Sequence, residues 1–148
     1  MRSPAALSRH ALHATARDRA DLLAIAASLA VPRAGERCWL RVAATDWFDA
    51  WLISWGAGSA IEPHDHGASA GALQVVRGCL LELSRDRGST LTSTARELGA
   101  GAAIEVPRGR VHQLENPGPD PALSLHVYSP PLTGLAFHPE AALGGVSA

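Results

Sequence analysis

The sequence predicts a closed all-β barrel preceded by a short helical segment. Three observations predict it. Residues 4–31 are rich in alanine, with apolar residues near helical spacing. Beyond Pro32-Arg-Ala-Gly35, short apolar runs alternate with turn residues, the pattern of an antiparallel barrel. Two stretches in the barrel half gather histidine, glycine and proline where a strand meets a turn.

The elements follow in chain order. Residues 4–31 read as one or two helices, with Leu12, Ala16, Ala20, Leu23 and Ala27 on one face. His10 and His13 in this segment have no partners in the pattern and are expected at the surface. Strands are expected over about 37–44, 48–56, 72–77, 79–84, 90–95, 102–106, 111–115 and 122–128. Thr45-Asp46 marks a hairpin before Trp47, and Arg85-Asp-Arg-Gly88 reads as another. Gly118-Pro-Asp-Pro121 is a stiff loop leading into the last strand. The chain therefore divides into a helical segment, 1–33, packed on a barrel, 34–148, as a single domain.

His64 and His66 are separated by one residue, so on an extended segment both side chains project to the same face. Pro63 and the Gly67 to Gly71 run flank them and suggest a strand end. A third histidine, His112, follows a turn marked by Pro107 and Gly109, with Val111 and Gln113 alternating around it as on a half-buried strand. Neutral imidazole suits zinc, copper, iron and nickel. The same three-histidine set serves hydrolytic zinc sites, so the ligands alone do not choose the metal.

Gly58, His64, His66, Gly71 and Gly78, then Gly101, Pro107, Gly109, His112 and Asn116, resemble the two signature motifs of the cupin superfamily. The resemblance implies a double-stranded β-helix, a jelly-roll-like barrel, with one metal held by His64, His66 and His112. Gly71 stands where most cupins carry a glutamate ligand. Without it the ion keeps its full charge and more open positions, an arrangement suited to oxygen chemistry.

His64-Asp-His66-Gly-Ala-Ser69 and Ser124-Leu-His126-Val-Tyr128-Ser-Pro-Pro131 narrow the comparison, and residues 36–138 resemble the cysteine dioxygenase type I family. The resemblance implies one Fe(II) per chain and oxidation of a thiol to a sulfinate with both atoms of O2. It implies catalytic roles for Tyr128 and His126, with Ser124 behind them in a hydrogen-bonded chain. It places a carboxylate-binding arginine at Arg41, with Arg37 as the alternative, where a planar fork of donors matches a carboxylate. Trp39 would border the substrate, replacing a tyrosine whose hydroxyl helps hold the carboxylate. Mammalian members have a cysteine at the position of Gly71 that crosslinks to the tyrosine; no such bond is possible here.

Composition excludes several classes. A net charge of −1 gives no electrostatic footprint for nucleic acid or an anionic membrane. The apolar run from Leu22 to Val31 is too short to span a bilayer. No secretory signal is expected at the N-terminus. Cys38 and Cys79 are too few for a disulfide framework, and Cys79 is expected as a small buried residue. A reducing cytoplasm follows as the expected location. The expected function is an Fe(II)-dependent cysteine dioxygenase, acting on a small-molecule thiol and O2. The alternatives are oxidation of 3-mercaptopropionate or another small thiol acid, a metal-binding sensor without activity, and a zinc or manganese isomerase or hydrolase. The sequence leaves the oligomeric state open.

Overall fold

Alternation along one strand explains how the fold is layered. In the computed structural model, which describes residues 4–15, 19–86, 93–139 and 141, strand β9 (Ala122–Ser129) is buried at every position. Leu123, Leu125 and Val127 point outward, where α1 (Pro4–Thr15) and α2 (Arg19–Ala27) cover them through Ala11, Leu12 and Leu22. Ser124, His126 and Tyr128 take the opposite face. A central strand covered on both faces reads as continuously buried, and the fully apolar odd positions meet that demand.

β9 lies between β2 (Asp49–Trp55) and β4 (Ala70–Arg77), in a sheet of order β1-β2-β9-β4-β7 with β1 (Arg37–Ala44) and β7 (Ala103–Val106) at its edges. The second sheet has the order β10-β3-β8-β5-β6, built from β3 (Ala60–Asp65), β5 (Cys79–Arg85), β6 (Thr94–Gly99), β8 (Val111–Glu115) and β10 (Ala136–Phe137). All pairings are antiparallel. The inner faces meet in a core of Trp55, Leu73, Val75, Leu80, Leu98, Ile104, Val106 and Leu114. This is the all-β barrel with a short N-terminal helical segment that the sequence predicts.

Several elements differ from expectation in detail. Of the strand expected over 90–95, residues 90–92 lie outside the described residues, and β6 extends on to Gly99 in register with Cys79. Among its residues Leu98 alone is buried, so the strand has no apolar alternation to mark its bounds. The hairpin expected at Arg85 to Gly88 also reaches beyond the described residues. β3 and the two-residue β10 were not among the expected strands. Pro63 masks β3, which tolerates the proline through a register shift between Ile61 and His64. The expected helical stripe holds at Leu12 and partly at Leu23, but Ala20 and Ala27 are exposed and Ala16 lies outside the described residues. Two helices, each with its own phase, do not share one stripe. His10 and His13 are exposed, and Cys79 is half-buried rather than buried.

Candidate metal centre and its cavity

The inward positions of four strands and one short turn converge on a single point. His64, near the end of β3, pairs directly across the ladder with His112 of β8. His66 follows at the turn, where the Ser69 amide donates to the His66 carbonyl. The three histidines are buried, and their candidate ligand nitrogens lie within 4.8 Å of one another.

Hydrogen bonds at Nδ1 of His64 and His112 leave Nε2 of each free. Nδ1 of His64 donates to the Glu62 carbonyl at 2.7 Å, so Nε2 carries the lone pair. Nδ1 of His112 meets Oε2 of Glu82 at 2.9 Å, and that carboxylate accepts from Arg96 through its other oxygen at 2.8 Å. Nε2 of His112 then faces Nε2 of His66 at 3.2 Å. Burial, then the nearness of His112, lowers the pKa of His64 to about 4. Burial, then His112 and His64, lowers that of His66 to about 2. Burial pushes the Glu82 carboxyl up, but the hydrogen bonds and charges of His112 and Arg96 outweigh it and hold it below the usual range. Three buried imidazoles with ring nitrogens this close together form a donor set that fits a dipositive ion.

Behind them, β9 presents Ser124, His126 and Tyr128. The Trp55 indole donates to the Ser124 hydroxyl at 2.8 Å, and Ser124 lies 2.7 Å from Nε2 of His126. With its oxygen accepting from Trp55, Ser124 donates to Nε2, which leaves the proton of neutral His126 on Nδ1. Among the described residues no hydrogen bond continues to Tyr128, whose ring lies 6.4 Å from that of His126. Tyr128 instead packs edge-on against His66 at 4.8 Å. Burial, then the charge of Asp49, raises its pKa, so the phenol stays protonated.

A cavity of about 300 Å³ opens above the histidines. Its walls are mostly apolar: Trp51, Ile53 and Trp55 of β2, Ile61 and Leu114 of the second sheet, and Leu132, Leu135 and Phe137 from the segment after β9. His138, next to Phe137, lies 2.7 Å from Asp65 and ties that segment to β3. Trp39 lines the mouth while remaining 61% exposed. Arg37 is the one charged side chain, histidines aside, among the described lining residues. Its guanidinium lies 5.5 Å from the Trp55 ring, and burial lowers its pKa.

Arg41 sits elsewhere. It is exposed, stacked 5.7 Å over the Trp51 ring, and outside the cavity lining. Residues 37, 39 and 41 share a strand face, and of the three Arg37 and Trp39 line the cavity. Glu82 and the apolar walls are absent from the sequence-derived site, and Arg37 is its alternative anchor. For Glu82 the signal was an acid between Leu80 and Ser84 on one strand face; for Arg37 it was shared parity with Arg41.

Fold and site together define a metal-binding cupin-type barrel. Comparison with known proteins takes this further. Residues 23–139 match the family profile of cysteine dioxygenase type I, and the chain belongs to that family. Among solved structures, a protein from Bacillus halodurans aligns with 26% identity over 69% of this chain and 74% of its own, with a TM-score of 0.58. A conserved protein with a double-stranded β-helix domain from Klebsiella pneumoniae aligns with 24% identity over 72% of this chain and 87% of its own, TM-score 0.57. An oxalate oxidase shares the fold at 20% identity, over 76% of this chain and 60% of its own, TM-score 0.61.

Proposed function

We propose that the chain is an Fe(II)-dependent thiol dioxygenase that converts cysteine to cysteine sulfinate. The observation that carries this reading is a set of three buried histidines, with no carboxylate among them, beneath a cavity with one arginine. Family membership narrows the metal chemistry to that of a dioxygenase. When bound, iron supplies positions at which a thiolate and O2 can meet. The sulfur yields all four electrons that O2 takes up, and the thiol proton is released as the sulfinate forms, so no cosubstrate is needed.

The chain's own residues then divide the remaining work. Arg37, rather than Arg41, holds the substrate carboxylate, since it combines a fork of donors with a place in the cavity wall. The protonated Tyr128 hydroxyl donates a hydrogen bond to the reacting group. His126, held by Ser124 and through it by Trp55, keeps its Nδ1 proton. The aromatic and aliphatic walls exclude water. No helix among the described residues is long and apolar enough to cross a membrane. A reducing cytoplasm suits both Fe(II) and a free thiol.

3-Mercaptopropionate is the second reading, favoured by one observation: no acidic side chain among the described lining residues faces the place of a substrate ammonium. Iron analysis with O2 uptake and sulfinate assay on cysteine, 3-mercaptopropionate and cysteamine decides between them. The expected result is one O2 consumed per sulfinate without added reductant. Stimulation by 2-oxoglutarate, or disulfide as the sole product, would overturn the dioxygenase reading, and an iron protein inert to every thiol would make it a sensor.

A further inference from the structure

Glu82 is an acid where the barrel would otherwise take a leucine. It occupies the inward face of β5 opposite Leu114, between Leu80 and Ser84, and is 1% exposed. A carboxylate at such a position costs several kcal/mol of desolvation unless its oxygens are matched. They are: Oε2 takes the Nδ1 proton of His112 at 2.9 Å and Oε1 takes Arg96 at 2.8 Å.

We propose that Glu82 is the positioning residue of the metal centre, supplying through His112 the negative charge that Gly71 withholds from the ligand set. The inference rests on the three-histidine metal site, and not on any particular substrate. A carboxylate that accepts the outer proton of a metal-bound imidazole raises the basicity of the inner nitrogen and fixes the ring's orientation. The three histidines differ in this respect. His64 donates to a backbone carbonyl, which is neutral. Among the described residues no hydrogen bond holds Nδ1 of His66, where the Gly71 backbone passes close by. His112 alone is tied to a charge. Arg96 moderates that charge from a partly exposed position, 42% accessible on β6.

The test is Co(II) affinity of the metal-free protein, measured by competition with a chromophoric chelator in the absence of thiol. Glu82→Gln keeps an oxygen to accept from His112 and removes the charge, while Arg96 is free to turn to solvent. It should bind Co(II) about 10- to 100-fold more weakly, the usual range for outer partners of a metal ligand, with its circular dichroism unchanged. Arg96→Met should act in the opposite sense, tightening Co(II) severalfold, because it removes a positive charge and leaves the carboxylate to His112 alone. If Glu82→Gln fails to fold, Arg96→Met decides. Wild-type affinity in Glu82→Gln, unchanged or weaker binding in Arg96→Met, or a wild type that takes up no Co(II) would each overturn the proposal. A protein that passes this test yet oxidises no thiol would retain Glu82 in its role while removing the dioxygenase reading.

Discussion

A β-carbon built on Gly71 would lie 3.1 Å from Nδ1 of His66 and 3.2 Å from its Cε1. The imidazole therefore fills the space that a side chain at position 71 would enter. Gly71 also pairs across the ladder with Tyr128, the residue to which a cysteine at this position would be linked. The missing ligand and the missing crosslink belong to one residue: Gly71 has no side chain, and the His66 ring packs directly on its backbone. Charge absent from that side of the site is present on the other, at Glu82.

Gly71→Ala should move His66 by a few tenths of an ångström. Metal affinity should fall on the order of tenfold, as when an outer contact of a ligand is disturbed. The melting temperature of the metal-free protein should change little, since the contact is with the edge of a side-chain ring rather than with backbone. Competition titration measures this, and wild-type affinity in the alanine variant would mean that the ring has room to spare.

Spacing made the three histidines legible, because the two motifs leave little freedom in where each side chain falls. The shared face of His126 and Tyr128 was legible in their spacing, whereas the burial of Leu123, Leu125 and Val127 on the other face depends on the helices that cover it. What the sequence hid was set by pairing between distant strands. Arg37 and Arg41 have the same parity, and the folded cavity separates them: Arg37 lines it, while Arg41 stacks on Trp51 outside the lining. Glu82 looks like an ordinary strand residue until β8 is laid beside β5. Of β3 only the strand end at His64 and His66 was legible, and its extent back to Ala60 was not.

Arg37→Ala should lower kcat/KM for a carboxylate-bearing thiol by about 1.5–3 kcal/mol, the range for a hydrogen bond to a charged group. That corresponds to roughly ten- to a hundredfold. Cysteamine, which has no carboxylate, should be a poor substrate and lose little further. Arg41→Ala, at an exposed residue stacked on Trp51, should change either activity less than about threefold, as for most surface positions. A larger loss in Arg41→Ala than in Arg37→Ala would return the anchor to Arg41.

Tyr128→Phe removes a protonated hydroxyl and leaves the ring against His66. Iron content should stay at the wild-type level, because the phenol is no ligand. The rate constant kcat should fall roughly 10- to 100-fold, the loss expected for a hydrogen bond made to developing charge. Full activity with full iron would remove the hydroxyl from the reaction.

Buried neutral histidines also make the metal-free protein sensitive to acid. His126 has its pKa lowered to about 3, first by burial and then by His112, His64 and Arg37. In the unfolded chain an imidazole titrates near 6.5. Between those values the unfolded state binds a proton that the native state refuses. The stability of the fold is therefore complete above about pH 6.5 and falls as the pH drops towards 3, by up to about 1.4 kcal/mol per pH unit for each such group. His64 and His66, lowered to about 4 and about 2, act in the same direction. Urea unfolding of chelator-treated protein at pH 7.5 and at pH 5.0 should show a clear loss at the lower pH. His126→Gln cannot take up the proton, and its amide oxygen can still accept from Ser124, so its loss between the two should be smaller than that of the wild type. Equal losses in the two proteins would mean that His126 is protonated in the native state as readily as in the unfolded one.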